Sequence, residues 1–326
     1  MDKRQADQHG PVFIAGCGRS GTTYLRTLLD AHPELAIPTE SLFIADYLRC
    51  GDRIPFFLRR WLFFREPQLT VWYRGKALAQ ATMREWVEAV HLAYARERGA
   101  ARWGQKTPRL IRHTALIIQH FPDTRWVLMH RDPRAVVASM LRSDRHTYSV
   151  PRAVDRWLQD NSLLLALSQS DPTRYLVLGY ENLIRNMDRE IERVQRFLDL
   201  YPVTLAELMY NAKVSPAIGG TFDNNAMRSG IERDNSRLAA WRRSLKPDQV
   251  QYIETHCGAL MSALGYTRTT EHQGPCSRSE QNSAKFKDAA VLLTYMRHWP
   301  GYLAHVLLRS TACALFCKKP MSSSRP

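Results

Sequence analysis

The chain has 326 residues, 44% of them hydrophobic and 24% charged, a composition that fits a folded globular protein and excludes a disordered or collagen-like one. Its 46 lysines and arginines against 31 acidic residues give a net charge of +15, which favours anionic partners. Nucleic acid is not the expected one, because there is no basic-region heptad pattern or aromatic ribonucleoprotein signature, and no C-x-x-C pair. The six scattered cysteines, Cys17, Cys50, Cys257, Cys276, Cys313 and Cys317, suit neither a zinc site nor a secreted disulfide scaffold, so no metal is expected.

Residues 1–10 are a polar tail leading into a strand without an apolar signal segment, and no apolar run reaches the length of a membrane span. A reducing, cytoplasmic setting is the expectation. Val12 to Ala15 are apolar β-formers that end at glycines, as a buried parallel strand does. Helical spacing of Tyr24, Leu25, Leu28 and Leu29 then predicts a helix from Thr22 to Ala31, stopped by His32-Pro33.

The turn between them fits two phosphate-binding patterns. Gly16, Gly18 and Gly21 spell the G-x-G-x-x-G of dinucleotide folds, whereas Gly16, Gly21 and Thr23 nearly spell the triphosphate loop, with Thr22 in place of its lysine. Losing the lysine that reaches the β- and γ-phosphates argues against ATP or GTP hydrolysis. The dinucleotide reading has Glu40 at about the distance where an acid binds ribose, but "HPELAIPTE" is a weak second strand broken by Pro38.

From Phe56 to Ala101 a Trp- and Arg-rich stretch has helical patterning, either as extra packing helices or as an acceptor-side insertion. A compact strand follows at Arg125–His130, then a helix with Pro133 in its first turn. A third strand spans Arg174–Tyr180, ahead of a helix marked by Ile191, Val194, Phe197 and Leu198. Strands alternating with helices predict one α/β domain over residues 11–266, with a central parallel sheet flanked by helices. Residues 267–285 read as a linker. In residues 286–326, Val291, Leu292, Tyr295, Met296 and Trp299, then Leu303, Val306 and Leu307, keep helical spacing around Pro300-Gly301, with Arg297, Arg309, Lys318 and Lys319 adding charge. Such a tail suits a membrane surface, or docking on the domain or on another subunit.

"GCGRSGTTYLRTLLDAHPELAIPTES" resembles the 5′-phosphosulfate loop of sulfotransferases that use 3′-phosphoadenosine 5′-phosphosulfate (PAPS), and is most similar to their tyrosylprotein branch. "WVLMHRDPRAVVASML" resembles the family's 3′-phosphate motif, with Arg131 after a strand and Ser139 eight positions later. The likeness runs through "WGQKTPRLI", "LGYENLI" and "WRRSL…MSALGY", roughly Pro11 to Tyr266. It implies a P-loop-like α/β fold and a metal-independent O-sulfotransferase.

By this resemblance Arg19, Ser20, Gly21, Thr22 and Thr23 cradle the 5′-phosphosulfate, and Arg131 and Ser139 hold the 3′-phosphate. Glu40, 21 positions after Arg19, matches the tyrosylprotein branch's general base, and Lys106 matches a lysine on the bridging oxygen. Arg228, Ser229, Gly230 and Arg233 in "AMRSGIERDN" are reminiscent of a basic 3′-phosphate loop. Thr39 and Leu42 depart from the branch, which has a glutamate and an arginine there, so the implied acceptor is a hydroxyl of protein tyrosine, carbohydrate, lipid or small molecule. Two other readings stand beside this one: a Rossmann-type NAD(P)-dependent oxidoreductase, and a non-catalytic polyanion- or membrane-surface-binding module.

Overall fold

The computed structural model describes residues 10–41, 43–66, 69, 73, 81–143, 148–214, 235, 238–270 and 300–316. Five parallel strands form the sheet: β1 Val12–Gly16, β2 Leu35–Ala36, β3 Arg102–Lys106, β4 Arg125–His130 and β5 Tyr175–Gly179, in spatial order β2-β3-β1-β4-β5. The helices used below are α1 Thr22–Leu29, α2 Ile44–Cys50, α3 Phe56–Phe64, α4 Met83–Glu97, α5 Thr114–His120, α6 Pro133–Leu141, α7 Val150–Ser170, α8 Tyr180–Arg185, α9 Met187–Phe197, α10 Leu205–Val214, α11 Trp241–Ser244, α12 Pro247–Ala263 and α13 Pro300–Phe316.

Strand side chains alternate between two cores, as the pleat requires. Phe13, Ala15, Trp126 and Leu128 face a core shared with residues of α2 to α5, where the Phe13 and Trp126 rings stack at 4.6 Å. Val12, Ile14, Val127 and Met129 face the opposite core, built with α1, α8, α9 and α10. A third cluster, of Cys17, α6, α7, α11 and α12, lies behind the turn that follows β1.

β3 was not expected from the sequence, because "RWGQK" lacks an apolar run. All five residues are nonetheless buried, and the polar ones have fixed partners. Arg102 Nε donates to the Gly10 carbonyl at 2.7 Å, and fully buried Gln105 meets His91 of α4 at 2.8 Å. In the 56–101 stretch, the packing-helix reading is what the described residues show: Leu62 and Phe63 of α3 and Trp86, Val87, Val90 and Tyr94 of α4 are core residues.

Of the alternatives for the tail, docking on the domain is the one the described residues 305–316 show. Arg309 is not a surface charge: it is buried, with Nη1 2.5 Å from Glu66 Oε1 and Nε 3.3 Å from Asp46 Oδ2. Ala312 of α13 joins the first core, so this helix is docked on the domain. Residues 271–299 lie outside the described part of the chain.

Candidate active site

The turn from β1 into α1 is dictated by two glycines. Gly16 has φ +138°, and a Cβ there would stand 2.2 Å from the Met129 carbonyl oxygen; Gly21, the N-cap of α1, has φ +87°, and its Cβ would stand 2.3 Å from the Tyr180 ring. Only glycine tolerates both the conformation and the approach. Gly18 differs: a Cβ there meets nothing within 4 Å, so the turn is open on that side. Arg19 is held at φ +70°, a left-handed conformation uncommon for a side-chain-bearing residue and frequent at binding sites. The Ser20 hydroxyl is fully buried and has no hydrogen-bond partner among the described residues. Amides of a first helical turn also lack helical acceptors and stand at the positive end of the dipole. An open turn with an orphaned hydroxyl and such amides suits a phosphate-bearing donor.

Arg19, Arg131 and Ser139 meet here, although 120 positions separate the first from the last. Arg19 Nε donates to Ser139 Oγ at 3.0 Å, and Arg131 Nη1 donates to the Arg19 carbonyl at 3.4 Å. The Arg131 guanidinium lies 4.2 Å from the centre of the Tyr180 ring, the ring that also packs on Gly21. Trp157 Nε1 holds the Arg131 carbonyl at 2.9 Å.

The segment around Arg131 is anchored on both sides. On one side, His130 Nδ1 is 2.8 Å from the Tyr266 hydroxyl, which donates to Glu181 Oε2 at 2.8 Å, while Glu181 Oε1 accepts from the Asp132 amide at 3.1 Å. Burial lowers the His130 pKa to about 4, so the ring is neutral at pH 7, and burial also raises that of Glu181. On the other side, the Asp132 carboxylate caps α6 and binds the Arg134 guanidinium, which reaches Glu254 Oε1 at 2.6 Å. Burial opposes the charge on Glu254, but hydrogen bonds from Thr270 and Thr269 outweigh it and hold the pKa at about 2. Tyr266→Phe leaves Glu181 short of a donor. It should lower stability by about 1–2 kcal/mol, as read from thermal melts.

Lys106 comes off the end of β3 and is 2% exposed. Its Nζ donates to Thr23 Oγ1 at 3.1 Å and to Glu40 Oε1 at 2.5 Å. Glu40 reaches it because Thr107 Oγ1 accepts from both the Ser41 amide (3.2 Å) and Gln105 Nε2 (3.0 Å), tying the chain after β2 to the end of β3. Thr39, by contrast, is buried. Arg228, Ser229, Gly230 and Arg233 lie outside the described residues, as does Leu42.

Cys17 sits within the turn, but burial first, then the nearby Asp160 carboxylate, pushes its thiol pKa well up. Asp160 itself is fully buried and accepts from Arg112 Nε (2.7 Å) and Arg156 Nε (2.8 Å). A protonated buried thiol is no nucleophile. Sequence reasoning assigned no role to Tyr180, Glu181 or Tyr266. Their signal was present in "LGYENLI" and "ALGY", two segments the resemblance reached.

These features define a group-transfer enzyme of the phosphate-loop α/β class, and not a dinucleotide-binding one. In the dinucleotide fold strand 2 lies beside strand 1, which brings its terminal acid to the ribose. Here β3 separates β2 from β1, and Glu40 is bound to Lys106 instead. The chain belongs to the sulfotransferase family, whose profile matches residues 11–203, and is thereby an enzyme of sulfuryl transfer. A Caenorhabditis briggsae protein provisionally named a protein-tyrosine sulfotransferase is 28% identical over 271 residues, 78% of this chain and 88% of that one. The Drosophila melanogaster protein-tyrosine sulfotransferase is 23% identical over 301 residues, 86% of this chain but 57% of its own length. Among solved structures, the sulfotransferase domain of a Synechococcus olefin synthase superposes with a TM-score of 0.58 at 22% identity, covering 80% of this chain and 97% of that domain.

Proposed function

We propose that the protein transfers a sulfuryl group from PAPS to a hydroxyl acceptor by in-line displacement, with Glu40 as general base. The observation that carries this reading is Lys106, whose ammonium touches Thr23 of the phosphate turn and Glu40 at once. One cation thus links the place where the leaving group's charge develops to the carboxylate that takes the acceptor's proton. The acceptor oxygen forms a bond to sulfur as the bond from sulfur to the bridging phosphate oxygen breaks. The hydroxyl proton passes to Glu40, and the charge left on 3′-phosphoadenosine 5′-phosphate is met by Lys106, Arg19 and the turn's amides.

Arg131 and Ser139 take the 3′-phosphate, the group that separates this donor from ADP. A tyrosine phenol is the first acceptor to test, since relatives bear that name and a phenol, with a pKa of about 10, loses its proton more readily than an alcohol. A carbohydrate or lipid hydroxyl is the second, favoured because residue 39 is a threonine, so Glu40 has no acidic neighbour at that position.

Thermal melting tests the donor. At 100 Kd, 3′-phosphoadenosine 5′-phosphate should add about 2.7 kcal/mol, a rise of several degrees, while ADP and NAD at equal concentration add little. Arg131→Ala should abolish the difference between the 3′-phosphorylated nucleotide and ADP. A rise with NAD alone would overturn the reading.

A further inference from the structure

α13 is built inside out. Among its residues with described side chains, 305–316, the only ionisable groups other than Cys313 are His305 and Arg309, and both are buried against the domain. Arg309 is held by Glu66 and Asp46, and His305 Nε2 stands 3.2 Å from Glu66 Oε1. The outward face instead carries Leu307 (57% exposed), Leu308 (52%), Leu315 (64%) and Phe316, with Ser310, Thr311 and Ala314 between them and no charge. A solvent-facing helix normally shows the reverse polarity.

Glu66 fastens α13 to the end of α3, and α3 has the same character. Its exposed face is Phe57 (83% exposed), Leu58 and Trp61, set among exposed Arg53, Arg60 and Arg65, with the Arg65 guanidinium 5.0 Å from the Trp61 ring. Aromatic and leucine side chains flanked by arginines are the composition of an interfacial element, apolar groups entering the acyl boundary and cations meeting headgroup phosphates. Among the described residues no helix is long and apolar enough to cross a membrane, so the contact is one of lying on the surface.

We infer that the exposed faces of α3 and α13 together form a docking surface for an anionic lipid bilayer. Charge complementarity selects this occupant over a second copy of the chain. A two-fold contact through this patch would bring Arg53, Arg60 and Arg65 toward their own counterparts, whereas the exposed residues of α3 and α13 include no acid to receive them, and Asp52, exposed beside Arg53, is already paired with Arg59 at 2.6 Å. Phosphate headgroups supply that acceptor. The inference does not rest on the identity of the sulfuryl donor or acceptor.

Vesicle sedimentation with the full chain tests it, using phosphatidylcholine vesicles with and without phosphatidylglycerol. Binding should require the anionic lipid and fall with salt. Arg60→Ala and Arg65→Ala should each weaken it about fivefold, and the pair Leu308→Glu and Leu315→Glu by more than about tenfold. These positions are exposed, so melting temperature and nucleotide binding should stay at the wild-type level. Absence of binding to anionic vesicles, or binding indifferent to the leucine pair, would overturn the inference. So would a lipid-free dimer that the leucine pair converts to monomer, which would give the face to a second copy.

Discussion

Glu40→Gln should lower the rate of sulfuryl transfer by about 10²–10⁴-fold, the range expected when a positioned base is lost, while leaving the thermal shift with 3′-phosphoadenosine 5′-phosphate intact. The substitution keeps the shape of the side chain and an oxygen for the Lys106 ammonium, 2.5 Å away, to donate to. What it removes is the capacity to take a proton. Because Glu40 is only partly buried beside a cation that is 2% exposed, the carboxylate has an open side from which an acceptor hydroxyl can approach. A variant that binds nucleotide and keeps full turnover would remove Glu40 from the chemistry and leave Lys106 as a binding residue alone.

The sequence made the fold legible where strands are apolar and hid it where a strand buries polar side chains. "FIA", "RWVLMH" and "RYLVLGY" announce β1, β4 and β5 because burial on both faces demands continuous apolar side chains. β3 carries Gln105 and Lys106, whose burial is made tolerable by Thr107 two positions on and by partners 14 to 83 positions away. No periodicity marks such a strand, since its stability comes from satisfied polar groups rather than from apolar area. The turn and the Arg131–Ser139 pair were legible for a different reason: each is local in sequence, and only their joining by Arg19 is tertiary. His130, Glu181 and Tyr266 converge from three separate segments, so spacing cannot reveal them. In α13 the helical period was visible but its orientation was not. Arg309 looks like a surface cation until Glu66, 243 positions earlier, is seen to meet it.

Lys106→Ala should cost about 10²–10³-fold in kcat, comparable to removing one group that stabilises a leaving oxygen, and its effect should not add to that of Glu40→Gln. Nζ touches both Thr23 and Glu40, so the alanine removes a cation from the phosphate turn and also frees Glu40 from its anchor. Each single variant therefore disables part of the same unit, and the double variant should resemble the worse single one. Lys106→Arg should restore little, because a planar guanidinium cannot present its donors to both partners within a slot shaped for an ammonium. Structural damage is distinguished by melting temperature: Glu40 is partly exposed and can be solvated once released, so stability should fall far less than activity. If the logarithmic losses of the two single variants instead sum in the double, Glu40 and Lys106 act in separate steps, and the link between proton removal and leaving-group charge that this geometry implies is absent.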